Sequence, residues 1–207
     1  MTRLEASLLA LLVVAAVASC VGAPFPRQMY LQHIPTVVVV TALSIVARRK
    51  LLSPAAFTCV VAFMMLHVVG ARYIYSYVPY DEWSQKLLGI SITEHFGFRR
   101  NHFDRVVHFA FGAMAVRPVW ETLTRKFKVP PRFALYASVE FVLAFSLLYE
   151  LFEWGLTMVL SPEDAGAYNG EQGDIYDAHR DMSLALLGAC VGLVIWRLTE
   201  SRRSPAA

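Results

Sequence analysis

Six stretches of mostly apolar residues, at 4–23, 31–47, 55–70, 106–124, 133–160 and 182–198, take up most of the 207-residue chain. An α-helix rises about 1.5 Å per residue, so about 20 apolar residues, or as few as about 17, carry it across the hydrocarbon core of a bilayer. Hydrophobic residues make up 57% of the chain and charged residues only 17%, where a soluble domain carries about 25% charged residues. The pattern predicts an all-α transmembrane bundle of six spans, a single integral membrane domain over residues 1–207. The fourth run is the weakest, because His108, Arg117 and Pro118 interrupt it. The fifth is overlong, and its outer end is expected to tilt or project.

Orientation follows from Lys and Arg. Arg3 precedes the first run, Arg48–Lys50 follow the second, Arg125, Lys126, Lys128 and Arg132 follow the fourth, and Arg197, Arg202 and Arg203 end the sixth. The positive-inside rule places these on the cytoplasmic side of an inner membrane, with both termini inside. Tyr73, Tyr75, Tyr77, Tyr80 and Trp83 read as an aromatic belt on the outer face. The net charge of +3 falls in clusters between apolar runs and forms no stripe, so the expected partner is the lipid bilayer and not nucleic acid. Arg3 and Ala16–Cys20 resemble a cleavable leader, but a run of nearly 20 residues exceeds the 7–15 of a signal-peptide core, so a retained anchor is expected. Cys20, Cys59 and Cys190 read as small packing residues.

Ionisable residues inside spans are costly and usually face a bundle interior or a cavity. Along the third helix His67 lies about 18 Å from the inner end; along the fifth, Glu150 and Glu153 lie about 25–30 Å out; in the fourth, His108 lies about 6 Å below the outer surface. The sixth enters at Asp181, preceded by Asp174 and Asp177. All converge on the outer third of the membrane. Asp104 and His108 are i,i+4, as are Glu150 and Trp154, and Asp177 and Asp181, so each pair shares a helix side.

Two chemistries follow. Carboxylates and imidazoles from several helices (His67, Asp104, His108, Glu150, Glu153, Asp177 and Asp181) suit a divalent cation that activates water or holds a phosphate. Without metal, His108 with Glu150, Glu153 or Asp104 forms an acid–base pair. Arg105 and Arg180 could clamp an anionic headgroup, with Asp174 and Trp154 beside them. Plainer readings stand next to these. Asp104 and Asp181 suit helix N-caps, Asp177 suits surface ion pairs with Arg180 or Arg105, and His67 suits a hydrogen bond inside the bundle. The functional expectation is an enzyme hydrolysing or transferring a lipid or lipid-linked headgroup. The alternatives are a small-ligand or cation binding or transport protein, or an assembly factor.

Four ordered motifs carry a resemblance: His67-x-x-Gly70-x-x-Tyr73-x-Tyr75; Asn101-x-Phe103-Asp104-Arg105-x-x-His108-Phe109; Tyr149-Glu150-x-x-Glu153-Trp154; and Gly170-x-Gln172-Gly173-Asp174-x-x-Asp177-x-x-x-Asp181-Met182. They resemble the YjdF-type bacterial inner-membrane proteins from about residue 30 to 190, and more faintly the VanZ-like membrane proteins linked to glycopeptide-antibiotic tolerance. The resemblance implies a compact helical membrane protein with an outward-facing polar site, and implies no substrate.

Overall fold

The computed structural model describes residues 1–159 and 172–201. The end of the fifth run at Leu160 and the Gly170–Glu171 part of the fourth motif lie outside the described residues. The described residues form eight helices and no strand: α1 (Arg3–Cys20), α2 (Pro26–Arg49), α3 (Pro54–Arg72), α4 (Tyr80–Leu88), α5 (Ile92–Phe96), α6 (Phe103–Arg125), α7 (Pro131–Thr157) and α8 (Asp177–Ser201). Local chemistry sets the boundaries. Thr2 and Glu5 close a capping box on α1, and Ser53 followed by Pro54 opens α3. The second helix starts at Pro26, five residues before the apolar run, and so takes in Arg27 and Gln28.

The helices form two groups. Helices α1, α2 and α3 pack on one another through Leu12, Leu43, Phe57, Val61 and Met64. Helices α6, α7 and α8 pack through Val116, Val142, Ala185 and Ala189. The α3–α6 contact joins the groups. Outward faces stay apolar: Val14 is 64% exposed, Val37 66% and Leu148 58%. Water would penalise such a surface and hydrocarbon does not.

Five helices, α1, α2, α3, α7 and α8, are long and apolar enough to cross a membrane. The fourth run forms α6, which has the length but carries Asp104, Arg105, His108, Arg117 and Glu121. It packs against α3, α7 and α8, which spares its polar groups contact with lipid. At its far end the Glu121 carboxylate, 2% exposed, accepts hydrogen bonds of 2.7 Å from both the Ser53 N–H and the Ser53 hydroxyl. Arg117 Nε donates to it at 3.1 Å. Glu121→Ala removes the acceptor that these donors share. Unfolding in mixed micelles should show a loss of about 1.5–3 kcal/mol, as for hydrogen bonds to charged groups.

The close fit of α6 and α8 aligns the polar ends. A Cβ on Gly112 would stand 1.9 Å from the Ala185 carbonyl oxygen, and one on Gly188 2.0 Å from that of Phe109. The helices therefore meet backbone to backbone, as small residues permit in membranes. The segment between α3 and α6, which lies outside the six apolar runs, folds into α4 and α5. Asp81 ties them together by accepting from the Thr93 N–H at 2.8 Å, the Ser91 hydroxyl at 3.1 Å and the Thr93 hydroxyl. Burial works to raise the Asp81 pKa, but these bonds outweigh it and hold the carboxyl below its ordinary value.

Candidate functional site

At the end of the bundle that carries α4 and α5, Asp104 and His108 of α6 face Asp181 of α8. One ligand atom from each lies within 4.8 Å of the others, and all three residues are buried. Their meeting follows from the glycine contacts, which bring the α6 and α8 backbones together over several turns. His108 Nε2 lies 3.7 Å from Asp104 Oδ1 and 3.5 Å from Glu150 Oε1 of α7, and the ring packs edge-on to Tyr149 at 5.7 Å. Glu153, buried one turn along α7, lies within electrostatic reach of Asp104, Glu150 and Asp181. Asp181 Oδ1 is buried with no hydrogen-bond partner among the described residues, and the residue is 1% exposed.

A lattice of guanidiniums and carboxylates covers this cluster. Arg100 pairs with Asp177, and Arg105 pairs with Asp174 and stands 3.6 Å from Asp177 Oδ1. Arg180, half exposed, donates to Asp174 at 2.5 Å. The Asn101 N–H donates to Gln172 Oε1 at 2.9 Å, and Gln172 Nε2 donates back to the Asn101 carbonyl at 3.3 Å, so the chain entering α6 is clasped to the chain entering α8. Burial works to raise the Asp174 pKa, but the Tyr176 N–H, Arg180 and Arg105 hold it below its ordinary value. Burial first, then the charges of Arg105 and Arg100, push His102 down, which suits its neutral ring nitrogen 3.2 Å from Arg105 Nη1.

A cavity of about 640 Å³ runs from this cluster between α2 and α7, within the range of about 300–1,000 Å³ usual for ligand pockets. Asp104, His108, His67 and Tyr75 line its polar end; Leu31 and Ile34 of α2 and Phe145 and Phe152 of α7 line its apolar mouth. Those four mouth residues are 49–59% exposed on outward helix faces, so the groove opens sideways towards the bilayer. Its lining carries no Lys or Arg among the described residues.

The sequence-based candidates thus divide. Asp104, His108, Glu150, Glu153 and Asp181 come together. Asp177, Asp174, Arg105 and Arg180 form the lattice above them. Trp154 is 59% exposed on the outward side of α7. His67 stands at the groove but outside the ligand group, because Tyr75 and Thr36 engage its two ring nitrogens. Tyr75, read as part of the aromatic belt, points inward and is 7% exposed. Left-handed backbone at Ile74 (φ 45°) and Tyr75 (φ 57°) turns it there. Its ring lies over Gly70, where a Cβ would stand 2.6 Å from the Tyr75 ring. Sequence reading passed over Arg100 and Glu121, and named Gln172 only as part of the fourth motif. For Glu121, the i,i+4 series Arg117, Glu121, Arg125 was the available signal.

Helix length, apolar outer faces and a buried His–carboxylate cluster at one end define a multi-pass α-helical integral membrane protein. Comparison narrows the class: the chain belongs to the family described as predicted membrane protein (DUF2238), whose model matches residues 4–202. It is 33% identical over 161 residues to the inner membrane protein YjdF of Escherichia coli (strain K12), covering 77% of this chain and 73% of that protein. The chain is accordingly a multi-pass protein of the inner membrane. No solved structure matches it.

Proposed function

We propose that the chain is a divalent-cation-dependent membrane enzyme that hydrolyses or transfers the headgroup of a lipid or lipid-linked molecule. In this reading α6 is a sixth span, both termini are cytoplasmic and the site opens outward. The observation that carries it is the buried Asp104–His108–Asp181 triad, two of whose members, Asp104 and His108, line a groove with an apolar mouth. Two carboxylates and an imidazole form a donor set suited to a divalent cation, and Asp181 Oδ1 has no hydrogen-bond partner among the described residues. A cation held there would polarise a phosphoryl or carbonyl oxygen. Glu150, beside His108 Nε2, and Glu153 would exchange protons with water or a leaving group. The apolar mouth would hold the hydrocarbon chain, while Arg105 and Arg180 could trade Asp174 for an anionic headgroup.

Elemental analysis of protein purified without chelator tests the reading, beside an Asp104→Asn/Asp181→Asn variant of equal folding quality. About one divalent ion per chain, lost in the variant, is expected. Absence of metal from the wild type, even after metal is offered back, would sink the proposal.

A further inference from the structure

Ser19, His33, Thr36, His67 and Tyr75 form one continuous hydrogen-bonded chain through α1, α2 and α3. Ser19 Oγ lies 2.9 Å from His33 Nε2, and His33 Nδ1 lies 3.1 Å from Thr36 Oγ1. Thr36 Oγ1 lies 3.0 Å from His67 Nε2, and His67 Nδ1 lies 2.5 Å from the Tyr75 hydroxyl. All five residues are buried.

With neutral rings, the geometry leaves only one arrangement of protons. Ser19 Oγ also lies 2.7 Å from the Ala16 carbonyl oxygen, which can only accept. The Ser19 proton is therefore committed there, and Ser19 must accept from His33 Nε2–H. His33 Nδ1 then accepts from the Thr36 hydroxyl. Thr36 in turn accepts from His67 Nε2–H, and His67 Nδ1 accepts from Tyr75 O–H. Both imidazoles carry their proton on Nε2, and every bond runs from Tyr75 towards Ser19.

The two ends open on different spaces. His67 and Tyr75 line the groove beside Asp104 and His108. Ser19 lines a second cavity, of about 560 Å³, with Arg72, Tyr73 and Trp83. There Arg72 Nη1 donates to the Ser19 and Val21 carbonyls at 2.6 and 2.8 Å, and Val21 is 72% exposed. From the geometry we infer that these five residues are a proton relay between the groove and the α1–α2 turn.

In one passage a proton from an acidic group in the groove binds Tyr75 Oη as the Tyr75 proton moves to His67 Nδ1. The His67 Nε2 proton moves to Thr36, the Thr36 proton to His33 Nδ1, and the His33 Nε2 proton to Ser19. The original Ser19 proton leaves to water at the turn. Each residue gains one proton and loses one, so no charge stays in the chain, and both rings become Nδ1–H tautomers. The reverse passage restores them. Where a proton is taken up and later returned in a groove with an apolar mouth, such a path carries it to the turn. The relay requires no metal, so its failure and that of the proposed function are separable.

The test is ¹⁵N-histidine NMR of the full chain in lipid nanodiscs, with and without chelator. His33 and His67 should both report the Nε2–H tautomer. After transfer to D2O, the buried His67 N–H should exchange through the relay. Thr36→Val, which removes only the linking hydroxyl, should slow that exchange at least about tenfold and leave His33 near its wild-type rate. Thr36→Ser should restore the His67 rate. An Nδ1–H tautomer at either ring of the wild type, or unchanged His67 exchange in Thr36→Val, overturns the relay. If Thr36→Val fails to fold, Ser19→Ala breaks the same path at its other end and must slow His67 in the same way.

Discussion

Gly112→Ala should destabilise the bundle by about 3 kcal/mol or more, at the upper end of what overpacking a tight contact costs. The added Cβ would stand 1.9 Å from the Ala185 carbonyl oxygen and 2.7 Å from the Ala189 nitrogen, and neither is the end of a flexible side chain. From the other side, a Cβ on Gly188 or Gly192 would stand 2.0 or 2.3 Å from the α6 carbonyl oxygens of Phe109 and Ala113, so all three positions guard one interface. A methyl at any of them forces α6 and α8 apart. Gly155 on α7 supplies the control, because a Cβ there meets nothing within 4 Å. Gly155→Ala should be neutral or stabilising by up to about 1 kcal/mol from helix propensity alone. Unfolding titrations in mixed micelles measure both. If Gly112→Ala matches wild type, the two helices do not meet at their backbones. Because Asp104 and His108 sit on α6 and Asp181 on α8, Gly112→Ala should also weaken cation binding, if the triad binds a divalent ion, without touching a ligand.

That interface shows where sequence reading reached and where it stopped. Hydropathy alone defines α1, α2, α3, α7 and α8, since each must be apolar on its lipid side. It sees α6 only weakly, because a helix wrapped by three neighbours can carry Asp104, Arg105 and His108 without meeting lipid. Depth counted along each run places Asp104, His108, Glu150 and Asp181 at one level, but level says nothing of facing. Facing came from Gly188-x-x-x-Gly192 against Gly112, and the first of these is a legible GxxxG signal. The inward turn of Tyr75 was not legible, because it depends on positive φ at two non-glycine residues. Arg100 was not legible either: its partner Asp177 lies 77 residues away, and nothing local separates it from the exposed Arg99 beside it.

Arg100 makes the second strong prediction. Its side chain is 6% exposed and that of its partner Asp177 8%, so removing Arg100 leaves a buried carboxylate dependent on the longer 3.6 Å contact with Arg105. Arg100→Met should cost about 3–5 kcal/mol, the usual result of breaking a buried pair from one side. Arg100→Met/Asp177→Asn should recover much of that loss, with a coupling of about 2 kcal/mol in the double-mutant cycle. Additive losses would mean that Arg100 acts through packing and not through charge. The same substitution separates the roles of lattice and triad. Arg100 and Arg105 are the cations closest to a cluster holding Asp104, Asp177, Asp181, Glu150 and Glu153, so carboxylates outnumber guanidiniums there. Removing one positive charge strengthens the field that draws in a cation. If the triad binds a divalent ion, Arg100→Met should bind it about tenfold or more tightly, which is about 1.4 kcal/mol, even as the fold weakens. A variant that loses stability and cation affinity together would instead show the lattice as the scaffold on which the triad depends.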